Sequence, residues 1–582
     1  MMNSVAQGRV GNTQVVLDGR GKVTLRQSDH IATGGEGSVY RLTDTAIKIY
    51  TDPQKMRKND MTGKVRALTA LQHAYIVAPQ GLVLDQRGAS PIGLYMPFVE
   101  GEPFPRVFTN DFWTRNAFNF NSANRLVERM QEVVHFAHSQ QAIIVDGNEL
   151  SWLLVVLGNG PEPRIIDVDS WSIGRWPATV IMPSIRDWHT NDFNELSDWF
   201  SWGIVSFQLY TGIHPYKGTL AGYKPGELER RMKNNASVFA SGVRLNQNVR
   251  DFRAISSKLL AWYVDTFQNG LREIPPSPFD VGVGIPRAAL VSRTVITAKG
   301  ALMHEKLYAD KRNPARRIFS CGIVLLESGD LYDLQLERKI GNAQSRDCEV
   351  VKQENCWLIA DWSGGRLEFS AVNSVSLLEE KLMLQIKSYK LLRYENRLFA
   401  VTDRGLTELK LKALGKLILA PANTWNVMIN STRWFDGVGV MDALGATFLI
   451  VPFGDNAVGQ VRVRELDGLR PVAAQAGNRF AAITVLDQNG EYKKTELTFD
   501  RDYTNYHFWQ GGAQNAEMNM TILPRGVCAI ITDDGELNIF VPTTGALNKV
   551  QDKDITTDLI LAHWEDRVVY IRDGEVWSMR MK

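Results

Sequence analysis

The chain has 582 residues, a length that implies two to four domains. Hydrophobic residues make up 44% and charged residues 22%, an ordinary globular composition. The formal net charge of +2 excludes both the basic excess of a nucleic-acid-binding protein and an acidic tail, so no nucleic-acid partner is expected. The four cysteines (Cys321, Cys348, Cys356 and Cys528) are widely spaced and form no C-x-x-C pair. That pattern argues against a disulfide framework or a zinc ribbon and fits a reducing compartment. The first residues lack an apolar core of signal-peptide length, and no run of about 18 apolar residues occurs. A cytoplasmic protein without a membrane span is the expectation.

Residues 1–25 read as an N-terminal extension. From 26 to 270, short apolar runs such as Ala46-Ile47-Lys48-Ile49-Tyr50 come first and long helical patterns follow, an α+β signature. Ala123, Leu126, Met130, Val133, Val134 and Ala137 recur at three- and four-residue steps, which predicts a helix over 121–139. A second helix is expected over 198–211, stopped by Gly212, and a third over 250–267. Residues 271–289, rich in Pro and Gly, read as a linker.

The stretch Ile31-Ala-Thr-Gly34-Gly35-Glu36-Gly37-Ser38-Val39-Tyr40 lies between two strand-like runs. Glycines there let backbone amides approach phosphate oxygens, and Val39 would cover an adenine ring. Lys48 follows within Ala-Ile-Lys-Ile-Tyr. Gly93-Leu94-Tyr95-Met96-Pro97-Phe98 is a further strand-like run. After the first helix come Ile144-Val145-Asp146-Gly147-Asn148-Glu149-Leu150-Ser151 and then Arg164-Ile165-Ile166-Asp167-Val168-Asp169-Ser170. Ser197-Asp198-Trp199 and Thr211-Gly212-Ile213-His214-Pro215-Tyr216 complete the series.

In this order the six segments resemble the protein-kinase superfamily. They are most similar to a bacterial Ser/Thr branch with G-G-E-G in the loop, M-P at the hinge and D-V-D-S in place of D-F-G. The resemblance covers roughly the first 270 residues and implies a bilobal kinase-like domain that binds ATP with Mg2+ or Mn2+. Gly34, Gly35, Gly37, Val39, Lys48 and Met96 would hold the nucleotide. Asp146 would be the catalytic base, and Asp167 with Ser151 would hold the metal. Relatives of this branch occur with a von Willebrand factor A protein and a metal-dependent phosphatase, which the resemblance implies as partners in stress or defence signalling.

Four departures bear on activity. Ala32 replaces the first loop glycine, and no glutamate lies between Tyr50 and Glu100 to pair with Lys48. Asp60 is the nearby acid, and the usual glutamate slot falls near Gly63. Ser151 stands where an asparagine is usual, with Asn148 as a possible substitute, and a register shifted by one would put Gly147 and Trp152 at the two key positions. No A-P-E sequence occurs over 182–191. An active kinase and a nucleotide-binding pseudokinase acting as scaffold or switch both remain open.

Over 290–582 a unit of two strands around a Gly or Asp turn recurs about every 37–47 residues, the period of propeller blades. An all-β propeller of seven blades is expected, with six the near alternative. Its role would be to recruit a substrate or protein partner. H-E-x-x-H is absent around His304.

Overall fold

A computed structural model gives the architecture. It describes residues 13–53, 60–157, 160–178, 181–280, 292–293, 300–363, 365–413, 415–533, 535–542 and 544–582. The first twelve residues of the expected extension and residues 281–289 of the expected linker lie outside this set.

The N-terminal half begins with a seven-stranded antiparallel sheet. Its strands are β1 (Thr13–Leu17), β2 (Gly21–Leu25), β3 (His30–Thr33), β4 (Gly37–Leu42), β5 (Thr45–Tyr50), β6 (Gly81–Leu84) and β7 (Pro91–Pro97). Their order is β2-β1-β6-β7-β5-β4-β3. The sheet therefore takes in the described part of the extension: Leu17 and Leu25 pack with Tyr40, Ile47, Val83 and Tyr95 on one face. The other face packs Ala46, Leu82, Leu94 and Met96 against Met61 and Val65 of the short helix Met61–Leu68. Alternate strand residues thus serve two cores, as a covered sheet requires.

A helical body follows. The helix Phe120–Ser139 buries Ala123, Leu126, Met130, Val133, Val134 and Ala137, the stripe predicted from spacing, and Asn119 caps its start. The helix Glu195–Thr211 begins with a capping box at Asn194 and ends at Gly212 with φ +77°. It is buried on all sides, so its core contacts rather than an apolar stripe hold it. The third helix is shorter than expected, Ser257–Phe267. Asp251 caps a separate 3-10 turn at Phe252–Ala254, and Ile255 and Ser256 are extended, which interrupts the pattern. Residues 271–280 lie along this body: Gln131 donates to the Pro276 carbonyl, and Arg272 pairs with Asp187.

Among the described residues of the C-terminal half there are seven four-stranded antiparallel sheets. Six are formed by consecutive strands over 315–342, 349–382, 390–425, 432–462, 470–513 and 520–550. In the seventh, Leu302–Tyr308 joins Ile560–Trp564, Arg567–Arg572 and Glu575–Met581, so the first strand closes on the last. Repeated sheets closed in this way fit a β-propeller, and buried clusters fill the spaces between neighbouring sheets. No helix of the described residues is long and apolar enough to cross a membrane.

The two halves are joined by polar contacts. His30 bonds Ser431 at 2.7 Å, the Thr33 amide donates to Asp442, and Lys217 pairs with Glu491 at 3.1 Å. Glu517 accepts from the Asn110 and Asp111 amides at the start of the helix Asn110–Arg115, and Arg115 reaches Asp436 at 3.2 Å.

Candidate functional site

The glycine-rich loop is the β3–β4 hairpin. The Gly34 amide donates to the Gly37 carbonyl at 2.8 Å and closes the turn. A Cβ on Gly37 would stand 2.2 Å from the Ile49 carbonyl oxygen, so only glycine lets β4 approach β5 here. Gly35 is exposed, with open space around it. Val39 is paired with Lys48 across the β4–β5 ladder, and Met96 on β7 is paired with Ala46 of β5. Val39, Met96 and Leu94 pack together with Ile166, the residue before Asp167. Of the six expected nucleotide residues, Gly37, Val39, Lys48 and Met96 lie on the neighbouring strands β4, β5 and β7, and Gly34 and Gly35 lie in the hairpin turn.

Lys48 is almost wholly buried. Its Nζ lies 2.7 Å from Asp169 Oδ2 and 3.2 Å from Glu36 Oε2. Tyr50 donates its hydroxyl to the same Asp169 oxygen at 2.5 Å. Burial alone would favour a neutral lysine, but Asp169, Asp167 and Glu36 overcome it and raise the Lys48 pKa. Burial likewise opposes an ionised Asp169, and the Lys48 charge prevails, holding its carboxyl below the usual range.

Lys48 pairs with Asp169 and not with Asp167 because of the local backbone. Asp167 has φ +60° and ψ +33°, and Val168–Ser170 form a 3-10 turn. The chain therefore turns at Asp167, and Asp169 faces Lys48 and Tyr50 instead of sharing a face with Asp167. A non-glycine residue in the left-handed region is strained and marks sites where geometry is imposed from outside.

Asp167 is exposed to solvent. Crowding by protein raises its pKa, Lys48 and Arg470 pull it down, and Asp169 pushes it up. Among the described residues its carboxylate has no hydrogen bond or ion pair.

Asp146 sits on a loop fastened from below. Asp198, buried in the helix Glu195–Thr211, accepts from the Ile144 and Val145 amides at 2.7 and 2.8 Å and from His138 Nε2 at 3.0 Å. These bonds hold Val145 at φ +63°, a costly conformation for a β-branched residue. Asp146 Oδ1 accepts from Asn148 Nδ2 at 3.0 Å and from the Met182 amide at 2.8 Å. Burial raises the Asp146 pKa against these two bonds. Ser151 is buried and donates its hydroxyl to the Asp146 carbonyl at 3.0 Å. Asn148 Oδ1 is taken by the Leu150 amide.

Asp60 stands away from Lys48: it caps the helix Met61–Leu68 and bonds Arg175 and Trp176. Lys64, beside the expected glutamate slot at Gly63, is buried and donates to the Pro177 carbonyl. Burial lowers its pKa to about 8.

The structure thus brings the Gly-rich hairpin, Lys48, Asp146, Asp167 and Asp169 to one region, although they run from Gly34 to Asp169 in the sequence. Sequence reasoning missed Glu36 and Tyr50 as neighbours of Lys48, and Asp198 as the anchor of the Asp146 loop. Glu36 had a usable signal, since an acid among loop glycines faces the adjoining strand. In the propeller, His304, Asp552 and Asp554 bring ligand-type atoms within 4.8 Å of one another. Tyr570 engages His304 Nδ1, and the Leu302 and Asp554 amides occupy Asp552.

Comparison with protein-family models and with curated proteins returned no match.

Proposed function

We propose that the first 270 residues form an atypical kinase-like domain that binds ATP between the seven-stranded sheet and the helical body. The observation that carries this reading is the convergence of a buried lysine on β5 with a partner-free carboxylate, Asp167, beneath a glycine hairpin. Amides of the hairpin suit phosphate oxygens, Lys48 suits the same phosphates, and the apolar surface of Val39 and Met96 suits a purine.

Magnesium binds oxygen ligands through one or two carboxylates together with substrate phosphates. Asp167 fits that requirement, since its carboxylate has no hydrogen bond or ion pair among the described residues. Ser151 fits less well, because its hydroxyl is engaged by Asp146. The metal would neutralise charge on the phosphates. Asp146, whose burial makes its carboxylate a stronger base than an exposed one, would take the proton of a Ser or Thr hydroxyl. Asn148 and the Met182 amide would orient its carboxylate. The propeller would recruit a substrate or protein partner. Val375, Leu378 and Met383, all highly exposed beside the second sheet, favour a partner there.

Two observations favour the second reading, a nucleotide-binding pseudokinase. Lys64, not an acid, occupies the helix face toward Asp169. The turn 487–490 of the propeller also packs on Met182 and Ser184, where a peptide platform would lie. Transfer of labelled γ-phosphate from ATP, with magnesium and then manganese, separates the two. An active kinase labels itself or a generic substrate and loses that activity in Asp146→Ala. A pseudokinase transfers nothing while still binding ATP.

A further inference from the structure

Arg470 is the first residue of the strand Arg470–Gly477, an edge strand of the fifth sheet, and its guanidinium reaches the N-terminal half. Its Nη2 lies 3.1 Å from the position a Cβ on Gly34 would take, so it rests on the glycine hairpin. Its charge also reaches Asp167. The guanidinium is half-buried and has no hydrogen bond or ion pair among the described residues.

That lack of a partner is unusual for a partly buried arginine, which has five N–H donors in a fixed fork. Asp167, the acid its charge reaches, forms no ion pair with it among the described residues, and two further acids are engaged elsewhere. Asp442 accepts from the Thr33 and Gly445 amides, and Asp467 holds Arg462. A second guanidinium, Arg433, donates to the Pro471 carbonyl next door. Crowding by protein lowers the Arg433 pKa to about 10, Arg470 adds to this, and the Glu102 and Asp442 carboxylates oppose it.

The position of Arg470 is fixed on both sides. Its backbone pairs with Leu486, a buried residue. The hairpin it touches is tied to the propeller by His30 with Ser431 and by Thr33 with Asp442. Rigid elements therefore hold the backbone of Arg470 beside the hairpin, within reach of Gly34 and of the Asp167 charge.

We propose that Arg470 is a phosphate-binding residue of the nucleotide site, supplied to the N-terminal domain by the propeller. This rests on the reading of the cleft as an ATP site. The fork of Arg470 suits terminal phosphate oxygens held by the Gly34 hairpin, and it adds a second cation opposite Lys48. The propeller then completes the site as well as offering a surface to partners.

Calorimetry on the full chain tests this with two probes, Mg-ATP and adenosine, on wild type, Arg470→Ala, Arg470→Lys and Lys48→Met. Arg470→Ala is expected to bind ATP at least ten-fold more weakly while its adenosine affinity and thermal unfolding stay at wild-type values. Arg470→Lys, which keeps the charge and loses the fork, is expected between the two. If Arg470→Ala binds ATP as wild type does while Lys48→Met does not, Arg470 has no phosphate role and the nucleotide site stands without it. Parallel loss of ATP and adenosine in Arg470→Ala overturns the phosphate role in favour of a structural one. A wild type that binds neither probe overturns the nucleotide site and this inference together.

Discussion

At the scale of single residues, the site is a buried charge network whose members depend on one another. Lys48 and Asp169 are both almost inaccessible, and each is ionised because the other is. Removing one partner of such a pair leaves an uncompensated buried charge. Asp169→Ala leaves Lys48 with Glu36 as its remaining ion-pair partner and is therefore expected to destabilise the N-terminal half by about 3 kcal/mol or less, measured by denaturant unfolding. Asp198 has a different task, holding two amides and a histidine beneath the Asp146 loop. Asp198→Ala is expected to release the strained Val145 and to abolish any phosphotransfer, with a loss of roughly 2–4 kcal/mol of stability. Lys48, Asp146 and Asp167 could be singled out as candidates because each sits in a recognisable local sequence. The bond from Lys48 to Asp169 could not be, because it depends on the left-handed turn at Asp167, which no local pattern in Ile-Ile-Asp-Val-Asp announces.

At the scale of elements, the glycine hairpin separates two kinds of glycine. Gly37 is required by the close approach of β5, whereas Gly35 meets open space. Gly37→Ala is expected to push β4 from the ladder, lowering stability by about 2 kcal/mol or more and weakening nucleotide binding. Gly35→Ala is expected to leave stability within about 0.5 kcal/mol of wild type. Thermal melts of the two variants side by side check both. The helix at Phe120–Ser139 was readable from its apolar spacing because a one-sided helix writes its packing into the sequence. The region after Arg250 was not, since the Asp251 cap and the extended Ile255 break a pattern whose apolar residues continue on both sides. The propeller strands were readable from turn residues such as Asn489-Gly490 and Asp573-Gly574, which recur with the repeat.

At the scale of the whole molecule, the two halves meet through titratable groups. Glu517 receives the start of the helix Asn110–Arg115, and burial with Asp111 beside it pushes its carboxyl up to about 7 against the two amides and Arg250. Asp436 is held below the usual range by Arg115, Arg317 and Arg393, which outweigh its burial. A raised acid keeps its proton in the folded chain where the unfolded chain has lost it. Glu517 therefore costs stability progressively as pH rises from about 4.5 to about 7. Glu517→Gln removes this cost and keeps one acceptor for the amides. The stability of the variant relative to wild type is expected to improve by about 1–2 kcal/mol between pH 5 and pH 8, read by denaturant unfolding at both values. Such cross-domain contacts were invisible in the sequence, because Glu517 and Asn110 are joined only by the fold.

The most direct test of a nucleotide site is calorimetric titration of the full chain with Mg-ATP, comparing wild type with Lys48→Met. A site built on Lys48 predicts saturable binding by wild type and at least a ten-fold loss in the variant. Equal heats of binding in both proteins, or none in wild type, would contradict it.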